Sequence, residues 1–168
     1  DNQSEGAVLI DDFPDNPTQW SDSDEDGWGD NQTYGATQVD DFPFVPSQYR
    51  DTDGDGYGDI LEGFEGDVCV FSSAEEVESG WISYADRLGC RDVDQDGFSD
   101  PTDDWIAHPD GFADAFPLDQ SQWFDTDHDG YGDNLEYFDG QTLRVAYRGD
   151  GCRTTLGTST FDRWGCPD

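Results

Sequence analysis

The 168-residue sequence predicts a mostly irregular repeat array, elongated, with short β-strands and little helix, stapled by disulfides around a small aromatic core. Three observations carry this: aspartates in a strict pattern, units that recur in register, and cysteines that bound inserts. Asp and Glu number 41 against 7 Lys and Arg, a formal net charge of -34, and 33 of the acids are Asp. Leu, Ile, Val and Phe together make only 30 residues, a proportion that with this charge ordinarily marks a disordered chain. Aromatic content of 14%, with six Trp, argues the other way. Some outside agent must offset the self-repulsion, and a divalent cation fits.

The repeats come in two types. The first reads Asp11-Asp12-Phe13-Pro14, then Trp20, then an aspartate loop from Asp22 to Asp30; it recurs from Asp40 to Asp59 and from Asp114 to Asp133. The second carries the cysteines: Asp67-Val68-Cys69, an insert, Asp86 to Cys90, then a loop from Asp92 to Asp100. Its first half returns as Asp150-Gly151-Cys152 and Asp162 to Cys166. The units are therefore 1–10, the end of a preceding repeat or linker; 11–39 and 40–66, two aspartate repeats; 67–113, a Cys-bounded insert with a third; 114–149, a fourth; and 150–168, a Cys-bounded segment leading into a truncated repeat. Asp168 aligns with Asp92 and Asp1 with the ninth residue of a loop. That alignment leads us to expect a window on, or a subunit of, a longer array growing along one axis.

Regular structure is expected to be sparse, because Gly, Pro, Asn and Asp dominate. Strand-like stretches stand at 7–10, 68–71 and 142–147, and Ser73 with Glu76 matches the capping-box pattern heading a short helix over Ala74–Ser79.

Each loop places Asp at positions 1, 3 and 5, Gly at 6 and an acid at 9. This is the ligand spacing of a calcium loop, in which position 7 supplies its backbone carbonyl. Calcium takes six to eight oxygens, and alternating aspartates on a tightly wound backbone converge on one point. The expected ligands are Asp22, Asp24, Asp26, Trp28 and Asp30 in the first loop. In the second they are Asp51, Asp53, Asp55, Tyr57, Asp59 and, at position 12, Glu62. Asp92, Asp94, Asp96, Phe98, Asp100 and Asp103 serve the third; Asp125, Asp127, Asp129, Tyr131, Asp133 and Glu136 the fourth. About four Ca2+ ions or more follow, with Asp11, Asp40, Asp104 and Asp114 available for extra ions, since four divalent ions leave much of the charge uncompensated.

The flanks lack the amphipathic helices of an EF-hand. The tandem D-x-D-x-D-G-x-x-D loops with interspersed Cys resemble thrombospondin type 3 repeats, and the Asp-x-Phe-Pro lead-ins resemble arrays on prokaryotic surface proteins. The resemblance covers roughly residues 11–168. It implies an extracellular, calcium-wrapped chain with little regular structure.

Four cysteines allow three pairings; alignment of the units favours Cys69–Cys90 and Cys152–Cys166, each closing its own insert. Loops of that size stabilise by on the order of 3 kcal/mol each, and disulfides belong to an oxidising, extracellular setting. N-glycosylation sequons stand in register at Asn2 and Asn31. Phe13, Phe42, Phe116, Trp20, Tyr49 and Trp123 recur in register and are expected to pack between successive loops.

The charge excludes a phosphate backbone as a partner, because that contact needs Lys and Arg, and excludes anionic membrane surfaces likewise. No apolar run approaches the roughly 20 residues of a membrane span. His108 and His128 are the only histidines, and no nucleophile or zinc motif is present, so catalysis is not expected. The sequence reads as an extracellular or cell-surface stalk, spacer or fibre. Its partners would be further copies of itself or of the same array, together with covalent glycans. The alternative is a calcium-dependent adhesion or carbohydrate-binding module, which would show exposed aromatics clustered in one groove.

Overall fold

A computed structural model of the protein describes residues 10–160 and 163–167. The strand expected over 7–10 lies outside these residues save for Ile10, as do Asp1, Asn2 and Asp168. The chain forms two units, Asp1–Val70 and Phe71–Asp168.

Among its described residues the first unit has neither helix nor strand. Ladder-like bonding there is reduced to isolated parallel bridges, Gly29 with Val39 and Gly58 with Gly66. The Pro-rich lead-ins turn instead: Asn16 N donates to Phe13 O at 2.9 Å and Val45 N to Phe42 O at 2.9 Å. The stretch 68–71, expected as a strand, is bend and turn. Its start is diverted by Asp67, whose Oδ1 accepts the Cys69 amide at 2.6 Å and closes an Asx turn where a strand would need an extended backbone.

The second unit holds the regular elements found among the described residues. Helix α1 covers Ala74–Ser79, as its capping box predicts: Ser73 Oγ accepts the Glu76 amide and the Glu76 carboxylate accepts the Ser73 amide. Gly80, with φ of 69°, ends it in a left-handed C-cap that an L side chain would disfavour. Strands β1 (Glu136–Phe138) and β2 (Leu143–Val145) form an antiparallel hairpin with Glu136 opposite Val145 and Phe138 opposite Leu143. The turn between them is set by Asp139, which accepts the Gln141 and Thr142 amides, and by Gly140 at φ of 85°. The fold is thus mostly irregular and non-helical. Cys152 and Cys166 form one disulfide; Cys69 and Cys90 are also disulfide-bonded, and no cysteine is free.

The interior is polar. Among described residues the buried apolar side chains are Cys90, Ala113, Ala146 and Cys166, whereas buried polar ones include Gln19, Gln48, Gln122, Asp40, Asp67, Asp114 and Asp150. The aromatics do not form the expected core; they stack in pairs that are half-buried except at the exposed Trp164. Trp28 lies on Tyr49 with centroids 4.4 Å apart and planes 4° from parallel, and Phe98 on Trp123 at 5.4 Å and 14°. Tyr131 meets Trp164 at 5.6 Å. In the first two pairs the ring of loop position 7 meets the lead-in aromatic of the next unit, which preserves the expected packing in a thinner form.

The three buried glutamines occupy one repeat position and act alike. Gln48 Oε1 accepts the Ile60 amide at 3.0 Å while its Nε2 donates to Ile60 O and Phe64 O at 2.8 and 3.0 Å. Gln122 bonds Asn134 and Tyr147, and Gln19 bonds Asn31 and Thr37, in the same way. A full set of bonds is what makes a buried amide tolerable. The glycine at loop position 8 makes room, because a Cβ at Gly29, Gly58 or Gly132 would overlap the glutamine amide.

Candidate metal centres

Each aspartate loop is wound by its own backbone amides. In the second loop the position-1 carboxylate of Asp51 accepts Gly54 N at 2.6 Å and Gly56 N at 3.0 Å; Asp55 Oδ1 accepts Tyr57 N at 2.8 Å. The same bonds recur as Gln95 and Gly97 onto Asp92, with Phe98 onto Asp96, and as His128 and Gly130 onto Asp125, with Tyr131 onto Asp129. Winding this tight puts positions 4 and 6 at positive φ. Glycine at position 6 accommodates it, while Glu25, Gln95 and His128 hold φ of 65°, 65° and 69° at position 4.

The result is convergence. Asp22, Asp24 and Asp26 each offer an oxygen within 4.8 Å of the others, and so do Asp51, Asp53 and Asp55; Asp92, Asp94 and Asp96; and Asp125, Asp127 and Asp129. All four triads could hold a metal ion, and their carboxylate oxygens are the hard donors calcium takes.

The position-9 aspartates play a different part. Asp59 accepts Thr52 N at 2.9 Å and Thr52 Oγ1 at 2.6 Å; Asp133 accepts Thr126 N and Oγ1 at 3.1 and 2.6 Å; Asp30 takes Ser21 and Ser23. Asp100 accepts Val93 N and pairs with Arg91 at 2.9 Å. Both oxygens of each are engaged, so position 9 clasps the loop's end to its start. At position 12, Glu62, Asp103 and Glu136 are exposed, and Glu136 stands in β1. Neither position belongs to a triad.

A further aspartate lies beside each triad. Asp40, Asp67, Asp114 and Asp150 are 0%, 2%, 0% and 1% exposed. Each donates its amide to the carbonyl of loop position 8: to Gly29 at 3.0 Å, Gly58 at 2.8 Å, Ser99 at 3.1 Å and Gly132 at 2.7 Å. Each Oδ1 accepts the amide two residues on, at 2.7, 2.6, 2.7 and 2.6 Å. Each Oδ2 is buried without a hydrogen-bond partner. The other unpartnered buried side-chain atoms among the described residues are carboxylate oxygens of Asp24, Asp26, Asp55, Asp94, Asp96 and Asp127, with Trp105 Nε1 the one exception. Sequence reasoning assigned Asp40 and Asp114 to extra ions and passed over Asp67 and Asp150. The signal that finds them is the Asp-x-Phe or Asp-x-Cys triplet opening every unit after a loop. Asp11 and Asp104, the other two residues offered for extra ions, are exposed.

Crowded, desolvated carboxylates resist ionisation. Burial, partly opposed by the Phe116 amide and reinforced by Asp96 and Asp94, pushes Asp114 up to about 9. Burial and then neighbouring charge raise Asp96 to about 8 and Asp94 to about 7. Asp40, Asp55 and Asp67 rise to about 6, burial again leading. Asp26, Asp92, Asp127 and Asp150 also rise, for the same first cause.

His108 has a local task. In the first two repeats the loop's opening amide is held by the second Asp of the lead-in, Asp12 for Asp22 and Asp41 for Asp51. The third lead-in has Ala115 there, and His108 Nδ1 lies against the Asp125 backbone instead, 3.2 Å from its amide nitrogen and 3.1 Å from its carbonyl oxygen. Asn31 is likewise structural: its Nδ2, the atom a glycan would use, donates to Thr18 O at 2.7 Å, as Asn134 does to Ser121 O at 3.1 Å.

One groove gathers aromatics in the second unit, a cavity of about 390 Å³ lined by Tyr137, Tyr147, Trp164 and Arg148 among others. The Arg148 guanidinium lies 5.1 Å over Tyr147 and 5.6 Å over Trp164, so a cation already covers ring faces on which a sugar would stack. No family profile, no curated protein and no solved structure matches the chain.

Proposed function

We propose that this chain is an extracellular calcium-binding structural protein, a thrombospondin type 3-like array serving as a stalk, spacer or fibre. Its partners in this role are further copies of itself or of the same array, and it performs no catalysis. The observation that carries the reading is the fourfold convergence of Asp triads on loops of one design. Sites built for catalysis or for a single ligand are unique in a chain; a feature repeated in every unit serves every unit. The polar interior supports the same reading. Aliphatic burial this small cannot offset the conformational entropy of 168 residues, so ions and disulfides must supply much of the constraint. Two disulfides suit an oxidising compartment, and no helix among the described residues is long and apolar enough to cross a membrane.

Small-angle X-ray scattering in millimolar calcium tests the structural role. A compact chain of this length has a radius of gyration of about 15 Å, and a stalk is expected to exceed that clearly, with a skewed distance distribution. A value near 15 Å for the calcium-loaded monomer would refute the stalk and return the chain to the binding-module alternative.

A further inference from the structure

We propose that Asp40, Asp67, Asp114 and Asp150 are the closing ligands of the four centres, so that each calcium ion fastens its loop to the first residues of the next unit. The inference rests on the calcium reading above and adds what that ion does mechanically.

Three observations agree at all four places. The side chain is buried, yet one oxygen has no partner. Leaving a buried charged oxygen unsatisfied is costly, and repeating the arrangement four times is explicable if that oxygen coordinates a cation. The other oxygen is pinned by the amide two residues on, which fixes the carboxylate plane. The backbone bond to loop position 8 is also constant, so the residue enters each loop from one side. Neighbouring carboxylates act on it from the triad, Asp26 and Asp24 on Asp40, Asp53 and Asp51 on Asp67, Asp96 and Asp94 on Asp114, Asp129 and Asp127 on Asp150, and also from loop position 9, Asp30, Asp59, Asp100 and Asp133.

The sequence separation varies while this geometry does not. The closing residue comes 16 to 25 residues after the loop's first aspartate, and the chain between loop and closing residue is a short turn segment in the first two repeats, a longer turn segment with Pro101 and Pro109 in the third and the β1–β2 hairpin in the fourth. Position 12 of an EF-hand lies on the loop itself and closes the site locally. Here closure recruits the following segment, two residues before a lead-in Phe or a disulfide-bonded Cys. Each ion therefore joins one repeat to the next; at three of the four junctions a buried glutamine lies beside loop position 8, and at the third loop Asp86 accepts the amide and hydroxyl of Ser99 there.

The test uses the oxidised full chain with calcium as the probe, comparing wild type with Asp67→Asn, Asp114→Asn and Glu62→Gln by isothermal titration, with hydrogen exchange read at single amides. Asparagine keeps the Oδ1 acceptor and the shape but turns a donor toward the ion. Asp67→Asn and Asp114→Asn are each expected to weaken one site by about tenfold or more, since ligand charge sets calcium affinity, leaving three sites at wild-type strength. Calcium-dependent protection should vanish at Cys69 in the first variant and at Phe116 in the second, and stay elsewhere; this locality separates closure from general destabilisation. Four unaltered sites in both variants would overturn the inference, as would loss of a site in Glu62→Gln but not in Asp67→Asn. A wild-type chain that binds no calcium would instead overturn the functional reading beneath it.

Discussion

Removing calcium with excess EGTA is expected to abolish the near-ultraviolet dichroism of the stacked aromatics and to expand the chain. Extracellular calcium modules bind at about 10⁻⁴–10⁻³ M, so millimolar calcium fills such sites and a chelator empties them. Without ions, each triad leaves three carboxylates with oxygens within 4.8 Å of one another and a fourth buried beside them. Among the described residues little else opposes their repulsion: the buried apolar side chains are small, and the Arg–acid pairs of Arg50, Arg91 and Arg144 are solvent-exposed on the Arg side and contribute little. The radius of gyration should rise toward, without reaching, the roughly 40 Å of an unfolded chain this long, because two disulfides persist. The Trp28–Tyr49 and Phe98–Trp123 pairs join a loop to the next lead-in and should report the change directly. Unchanged dichroism and radius after chelation would show that the loops hold their shape unaided.

Acidification should weaken calcium binding in a definite order. Protons and calcium compete for the same carboxylates, so apparent affinity falls as pH drops through the pKa values of the folded, metal-free sites. The third centre goes first, over about pH 9 to 7, because Asp114, Asp96 and Asp94 sit at about 9, 8 and 7. The first and second follow near pH 6, where Asp40, Asp55 and Asp67 titrate. The metal-free chain should show the opposite trend. These groups hold a proton more tightly when folded than at their ordinary value of 3.8. Their protonated forms therefore favour the fold below the unfolded pKa, and that contribution is lost as pH rises through the folded values. Calcium titrations at pH 6, 7.5 and 9, beside the residual near-ultraviolet dichroism of the metal-free chain at each, check both slopes; a pH-independent affinity over this range would contradict the burial of these carboxylates.

What the sequence made legible was local. The capping box of Ser73 and Glu76 specifies α1 within four residues, and it forms where expected. The triads are equally local, since alternate aspartates around a glycine turn need only their own amides to converge. Asp40 and Asp114 are legible as ligands for extra ions, but their place beside the triads, and Asp67 and Asp150 altogether, are not, because the distance from the loop changes from repeat to repeat and a motif is read by fixed spacing. The glutamines were hidden for another reason: a core sought through apolar periodicity cannot reveal an interior held by amides and carboxylates. Half of the hairpin escaped as well. The stretch 142–147 has the alternation of a strand, but β1 overlaps Glu136, whose spacing from Asp125 suggested a ligand.

Counting bound calcium tests the central claim most directly. Equilibrium dialysis of the oxidised chain against calcium at pH 8, in moderate salt to suppress diffuse counterion binding, should reach four saturable ions per chain. The Asp55→Asn variant, which damages a single triad, should reach three. A chain that takes up no saturable calcium, or an uptake that Asp55→Asn leaves at the wild-type number, would contradict the assignment of the four loops as metal centres.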